Sequence, residues 1–208
     1  LENQALSESV WAAINAFPEG FAFTSKDLAD IANPAVIRQT LGRLAKSGKV
    51  RRLLRGVYDV PRKSLILNSP APPSINSIAE AFARAHGWTI VPTGAAALNL
   101  LGLSTQVPAT WTFLSDGPSK TIMWEAGRIE FKHRTNKEIT LLSPTTALVV
   151  QALKELGQEG INEEIIAVVS KKMSAKEKEI ALREAKIVTS WVYETIKSIF
   201  RYGVNPDA

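Results

Sequence analysis

Four prolines, at positions 61, 70, 72 and 73, set the outer limits of what this 208-residue chain can fold into. Each fixes its own φ and removes a backbone donor, so neither a helix nor a central strand can run through PRKSLILNSPAPPSIN. Residues 64–76 are therefore predicted to form a stiff, extended connector. It parts an N-terminal domain, residues 1–63, from a larger one, residues 77–208, and the chain is long enough for two units with separate cores.

In the first domain, Val10, Trp11, Ile14 and Phe17 recur at helical spacing behind Ser7, a candidate cap, and Pro18 and Gly20 end the run. Phe21 to Thr24 reads as a short extended piece. Ser25 is expected to cap a second helix, SKDLADIA. Asn33 then caps a third, PAVIRQTLGRLAKSG, with Pro34 at its first position, where a missing N–H costs nothing. Two helices joined by so tight a turn carry the helix-turn-helix signature. Beyond Gly48, the β-prone runs 50–53 and 57–60 flank a turn at Arg55 and Gly56 and predict a hairpin wing. Tyr58 is expected to pack that hairpin on the first helix. The fold class is α+β, a winged helix-turn-helix followed by a mixed α+β domain with terminal helices.

Charge says what the first domain is for. Residues 34–63 hold nine Lys or Arg against one acid, Asp59, a local net charge of +8 on a chain whose total is +5. Such a field attracts polyphosphate by counterion release. On the third helix Ile37, Leu41 and Leu44 must point inward, so at about 100° per residue Ala35, Gln39, Gly42, Arg43 and Lys46 point away, with Arg38 on the flank. Arg and Gln suit guanine and adenine edges in the major groove. Lys49, Arg51, Arg52 and Arg55, at and beside the hairpin, are candidates to grip backbone phosphates. The predicted partner is double-stranded DNA.

The second domain reads as a helix from Ser77 to His86, a strand from Trp88 to Val91, and a small helix capped by Thr93 and ended by Gly102. A strand follows from Trp111 to Ser115, then a hairpin of 121–125 with 128–134, and a further strand from Ile139 to Leu142. Ser143 caps TTALVVQALKEL. Helices over 161–171 and 175–200 follow, the last with Ile180, Ile187, Val188, Trp191, Ile196 and Ile199 on one apolar face. No phosphate-cradling glycine loop, nucleophile elbow or paired-carboxylate motif occurs, so no catalytic residue, cofactor or metal ligand is expected. Asp116 and His133 are the nearest approach to an acid–base pair. Lys120, Arg128, Lys132 and Arg134 form a second, smaller basic group. No apolar run approaches the length of a membrane span, no export signal is recognisable, and cysteine is absent, so a cytoplasmic protein without a membrane partner is expected.

The order of motifs, VRRLLRGVYDVPR, a proline-rich joint, PTGAAALNLLGLSTQVP and TWTFLSDG, resembles the AbiEi-like family of antitoxins and transcriptional regulators of type IV abortive-infection toxin–antitoxin systems. The resemblance implies a winged helix that represses its own promoter by binding inverted repeats. It also implies a C-terminal domain that counters a nucleotidyltransferase-like toxin without needing a stable complex with it. The operator-reading positions would be those between Gln39 and Arg55. The competing expectation is a ligand-sensing regulator with no toxin partner, its small molecule held around Trp88, Trp111 and Trp124.

Overall fold

In the computed structural model of the chain, α1 (Glu2–Asn15) begins ahead of Ser7. Ser7 is thus not a cap. It sits inside the helix, its hydroxyl 3.0 Å from that of Thr40 on the next helix. Val10 and Ile14 are fully buried, and Pro18 prevents the helix from continuing. After β1 (Ala22–Thr24) the expected second helix is a single 3-10 turn, Ser25–Leu28. Its cap is Thr24 rather than Ser25. The Thr24 hydroxyl accepts the Lys26 N–H at 3.2 Å, and the Asp27 carboxylate takes the Thr24 N–H at 2.7 Å. This capping box starts the turn, and Pro34 helps stop it from lengthening, because the residue before a proline is driven out of the α region. Asn33 is accordingly extended and accepts the N–H groups of Ala35 and Val36, each at 3.1 Å, at the start of α2 (Pro34–Lys46).

α2 buries Val36, Ile37, Thr40 and Leu41. β2 (Arg51–Leu54) and β3 (Val57–Asp59) form a hairpin whose turn needs the positive φ of Gly56, +85°. β3 is the middle strand of an antiparallel sheet ordered β1-β3-β2. The core joins Val10, Ile14, Phe23, Leu28, Ile37 and Leu41, and Tyr58 packs against this cluster, its ring stacked on Phe23 of β1, rather than on a ring of α1, with 6.1 Å between centroids.

The structure describes residues 2–18, 20–62, 69–124, 127–134, 139 and 141–202, and over them the chain is α+β, with two sheets. It divides into two compact units, 1–88 and 89–208. That division places 77–88 with the first unit, whereas the sequence reading places them with the second. Residue 63 and residues 64–68 of the predicted connector lie outside the described residues, but Ala71 donates its N–H to the Arg62 carbonyl at 2.9 Å, and α3 (Ile75–His86) packs on β1. The reason is the open edge of β1. Its Ala22 N–H is taken by the Ser77 hydroxyl at 2.7 Å and its Ala22 carbonyl by Arg84 at 2.8 Å, so α3 completes an edge that β3 leaves unpaired. Arg84 also pairs with Asp27 at 2.9 Å.

The second unit has a four-stranded sheet in the order β4-β5-β7-β6, from β4 (Ile90–Thr93), β5 (Thr110–Ser115), β6 (Lys120–Trp124) and β7 (Gly127–His133). β5 and β7 run parallel and place Trp111 beside Ile129 and Phe113 beside Phe131, all buried. Residues 125–126 lie outside the described residues. Thr93 ends β4 instead of capping a helix, its hydroxyl donating to Gln151 at 3.1 Å, and Gly94 stands at the start of α4 (Ala95–Leu100). The strand expected over 139–142 is not formed: Ile139 is helical and Leu141–Leu142 is a bend. Ser143 there gives its N–H to the Glu184 carboxylate at 2.8 Å, and α5 (Pro144–Leu156) follows at once.

α6 (Glu163–Lys172) comes next, and the expected last helix is two, α7 (Ala175–Glu184) and α8 (Ser190–Arg201), parted by a 3-10 turn and an extended Val188. The break lets Ala181 and Ala185 and also Val192, Ile196 and Ile199 reach one core with Val149, while Ile187 stays exposed.

Candidate nucleic-acid interface

The outward side of α2 follows from its inward side. With Val36, Ile37, Thr40 and Leu41 buried, Ala35, Arg38, Gln39, Gly42, Arg43 and Lys46 are all exposed, matching the positions calculated from the helical repeat. A Cβ added at Gly42 would meet nothing within 4 Å, so this turn of backbone is open to close approach. Arg38, Gln39, Arg43 and Lys46 have no side-chain hydrogen bond or ion pair among the described residues, and Arg43 and Lys46 occupy the last turn, where cations complement the helix dipole.

The hairpin contributes unequally. Arg52 and Arg55 are exposed and also lack an internal partner among the described residues. Lys49 is exposed but stands over the Trp11 ring, its Nζ 5.1 Å from the centroid. Arg51 is the exception. Its Nε and Nη2 donate to the two Asp59 carboxylate oxygens at 3.0 and 2.6 Å, and its Nη1 donates to the Ala71 carbonyl at 3.0 Å. With the Asp59 side chain only 4% exposed, Arg51 is a tie across the sheet, and all three nitrogens are engaged within the fold. Sequence reasoning missed this role; the clue was Asp59, the lone acid in a basic run, facing Arg51 in the hairpin register.

In the second unit Asp116 accepts the Thr89 N–H at 2.8 Å, and His133 Nδ1 lies 2.9 Å from the Gly117 carbonyl, an acceptor, so that nitrogen carries the proton. Asp116 is thus tied to the backbone just before β4, and His133 to the backbone just after β5. Arg128 pairs with Glu130, and Lys132 and Arg134 are exposed. Of the tryptophans expected around a ligand, Trp88 belongs to the N-terminal unit and packs on Phe82 and His86, whereas Trp111 is buried in β5. The Trp124 side chain lies outside the described residues. Among the described residues no cluster of three or more His, Asp or Glu could hold a metal, and no helix is long and apolar enough to cross a membrane.

No curated protein matches the chain. A crystal structure of the RV2827C protein from Mycobacterium tuberculosis is similar at a TM-score of 0.44 and 13% identity, over 97% of this chain and 78% of that one. The model of a family of unknown function, DUF6088, matches residues 9–182, most of both units. The chain belongs to that family, DUF6088.

Proposed function

We propose that the N-terminal unit is a winged helix-turn-helix that binds double-stranded DNA, with α2 in the major groove and the β2–β3 hairpin as the wing on the backbone. The observation that carries this reading is one cationic surface. Arg38, Gln39, Arg43 and Lys46 stand free on the outward side of α2, and Arg52 and Arg55 stand free on the hairpin. The order helix, strand, short turn, helix, hairpin supports it, as does the turn between the two helical elements, capped by Asn33. Gln39 and Arg43 are assigned to base edges, and Lys46, Lys49, Arg52 and Arg55 to phosphates.

In this reading the DNA is the chain's own promoter and the second unit is an antitoxin that counters a nucleotidyltransferase-like toxin. That part rests on the likeness of Thr93 to Pro108 and its flanks to AbiEi-like antitoxins, and the chain acts in the cytoplasm. Co-expression with the adjacent gene tests the antitoxin arm: the full chain restores growth and residues 1–88 alone do not. Footprinting upstream of the gene tests the repressor arm. A protected inverted repeat is expected, and uniform coverage without one defeats the reading.

A further inference from the structure

Between α1 and α2 runs an open groove of about 610 Å3. Its floor is the Ser7–Thr40 hydroxyl pair, Leu44 and the half-buried Trp11 ring. Arg43, Ser47 and Lys49 line one bank, Glu8 and Asn15 the other. Neither Arg43 nor Glu8 has an ion-pair partner among the described residues, and Lys49 sits at the Trp11 ring. The groove thus sets a flat indole and two cations at one side against a carboxylate on α1.

We propose that this groove binds a nucleoside phosphate, with its base against Trp11, its phosphate between Arg43 and Lys49, and its sugar hydroxyls donating to Glu8. The volume falls within the range of small-molecule sites. Stacking needs the ring, and the cations need an anion. Glu8 repels a bare anion but accepts from hydroxyls, so the site favours a nucleoside phosphate over inorganic phosphate. Arg43 and Lys49 line this groove and are also assigned to DNA, Arg43 from the outward side of α2. A bound nucleotide therefore withdraws both from DNA, a consequence that rests on the DNA-binding reading.

The test is calorimetric titration of the full chain with AMP, adenosine and orthophosphate. AMP is expected to bind at one saturable site, with adenosine and orthophosphate each about tenfold weaker or worse. Trp11→Leu is expected to weaken AMP about tenfold. Asn15→Asp, which adds a carboxylate at an exposed position of α1, is expected to weaken it without disturbing the core. No AMP binding, AMP binding unchanged in both variants, or orthophosphate as tight as AMP overturns the proposal. A second titration, of duplex DNA with and without saturating AMP, separates the two claims. DNA affinity that falls with AMP supports both, and DNA affinity indifferent to AMP overturns the coupling. A chain that binds AMP but no DNA leaves the groove standing and defeats the function; one that binds DNA but no AMP does the reverse.

Discussion

Replacing Asp59 by Ala removes both oxygens that hold Arg51 and leaves a guanidinium with one remaining partner, the Ala71 carbonyl. A buried pair broken on one side costs about 3–5 kcal/mol, but the Arg51 side chain is 28% exposed and water reaches it, which lowers the expected cost to about 2–3 kcal/mol. Arg51→Ala strands the better-buried partner, the Asp59 carboxylate, and is expected to cost about 3–4 kcal/mol. The double variant should then be about 2 kcal/mol more stable than the sum of the single losses predicts. The assay is urea unfolding of the four proteins, followed by amide exchange in β2 and β3 so that the N-terminal unit is read separately. The same proteins serve a second measurement. At temperatures where all are folded, Arg51→Ala should leave the salt dependence of DNA binding close to that of the parent chain. Single losses below about 1 kcal/mol that simply add would refute the tie, and a salt slope lowered as much by Arg51→Ala as by Arg52→Ala would return Arg51 to the DNA.

Three further outcomes follow from local geometry. Asn33→Ala removes the cap of α2 and is expected to cost about 1 kcal/mol, read as a lower melting temperature of the N-terminal unit. Gly94→Ala forces a Cβ onto a backbone at φ +60°, ψ −142°, a region open essentially to glycine, and is expected to cost about 1–3 kcal/mol. Burial raises the Glu184 pKa, but hydrogen bonds from the Ser143 N–H and hydroxyl and from Thr146, together with the charge of Arg183, outweigh it and hold the pKa below the ordinary 4.5. A depressed folded pKa contributes stability that is complete above 4.5 and lost as pH falls through the folded value. Glu184→Gln should therefore be less stable than the parent at neutral pH and should flatten the acid limb of a melting-temperature profile. An unchanged acid limb would count against it.

What the sequence disclosed and what it hid follow a physical division. The outward side of α2 was legible because helical periodicity and apolar anchors set it locally, and the exposed positions from Ala35 to Lys46 are those calculated. One cap was misplaced by a tertiary contact and the other by a local capping box. Ser7 has the chemistry of a cap, yet Thr40 takes its hydroxyl, and Thr24 caps in place of Ser25 because Asp27 can return the hydrogen bond. The domain boundary was hidden for a similar reason. Among the described residues from Pro61 onward no helix forms before Ile75, as the prolines require, but the need of the β1 edge for partners holds α3 on the first unit. Arg51 looked like its neighbours on a charge count, and only the register with Asp59 distinguishes it.

The central claim is that α2 and the hairpin form a duplex-binding surface, and its most direct test is fluorescence anisotropy of the promoter duplex across a salt series. The logarithm of the affinity should fall linearly with the logarithm of salt, with a slope of about −0.9 per neutralised phosphate. Lys46→Ala, Arg52→Ala and Arg55→Ala should each reduce that slope by about one, whereas Gln39→Ala and Arg43→Ala should mainly erode preference for the promoter over unrelated duplex. Absence of binding at low salt, or a slope indifferent to Arg52→Ala and Arg55→Ala, would contradict the account.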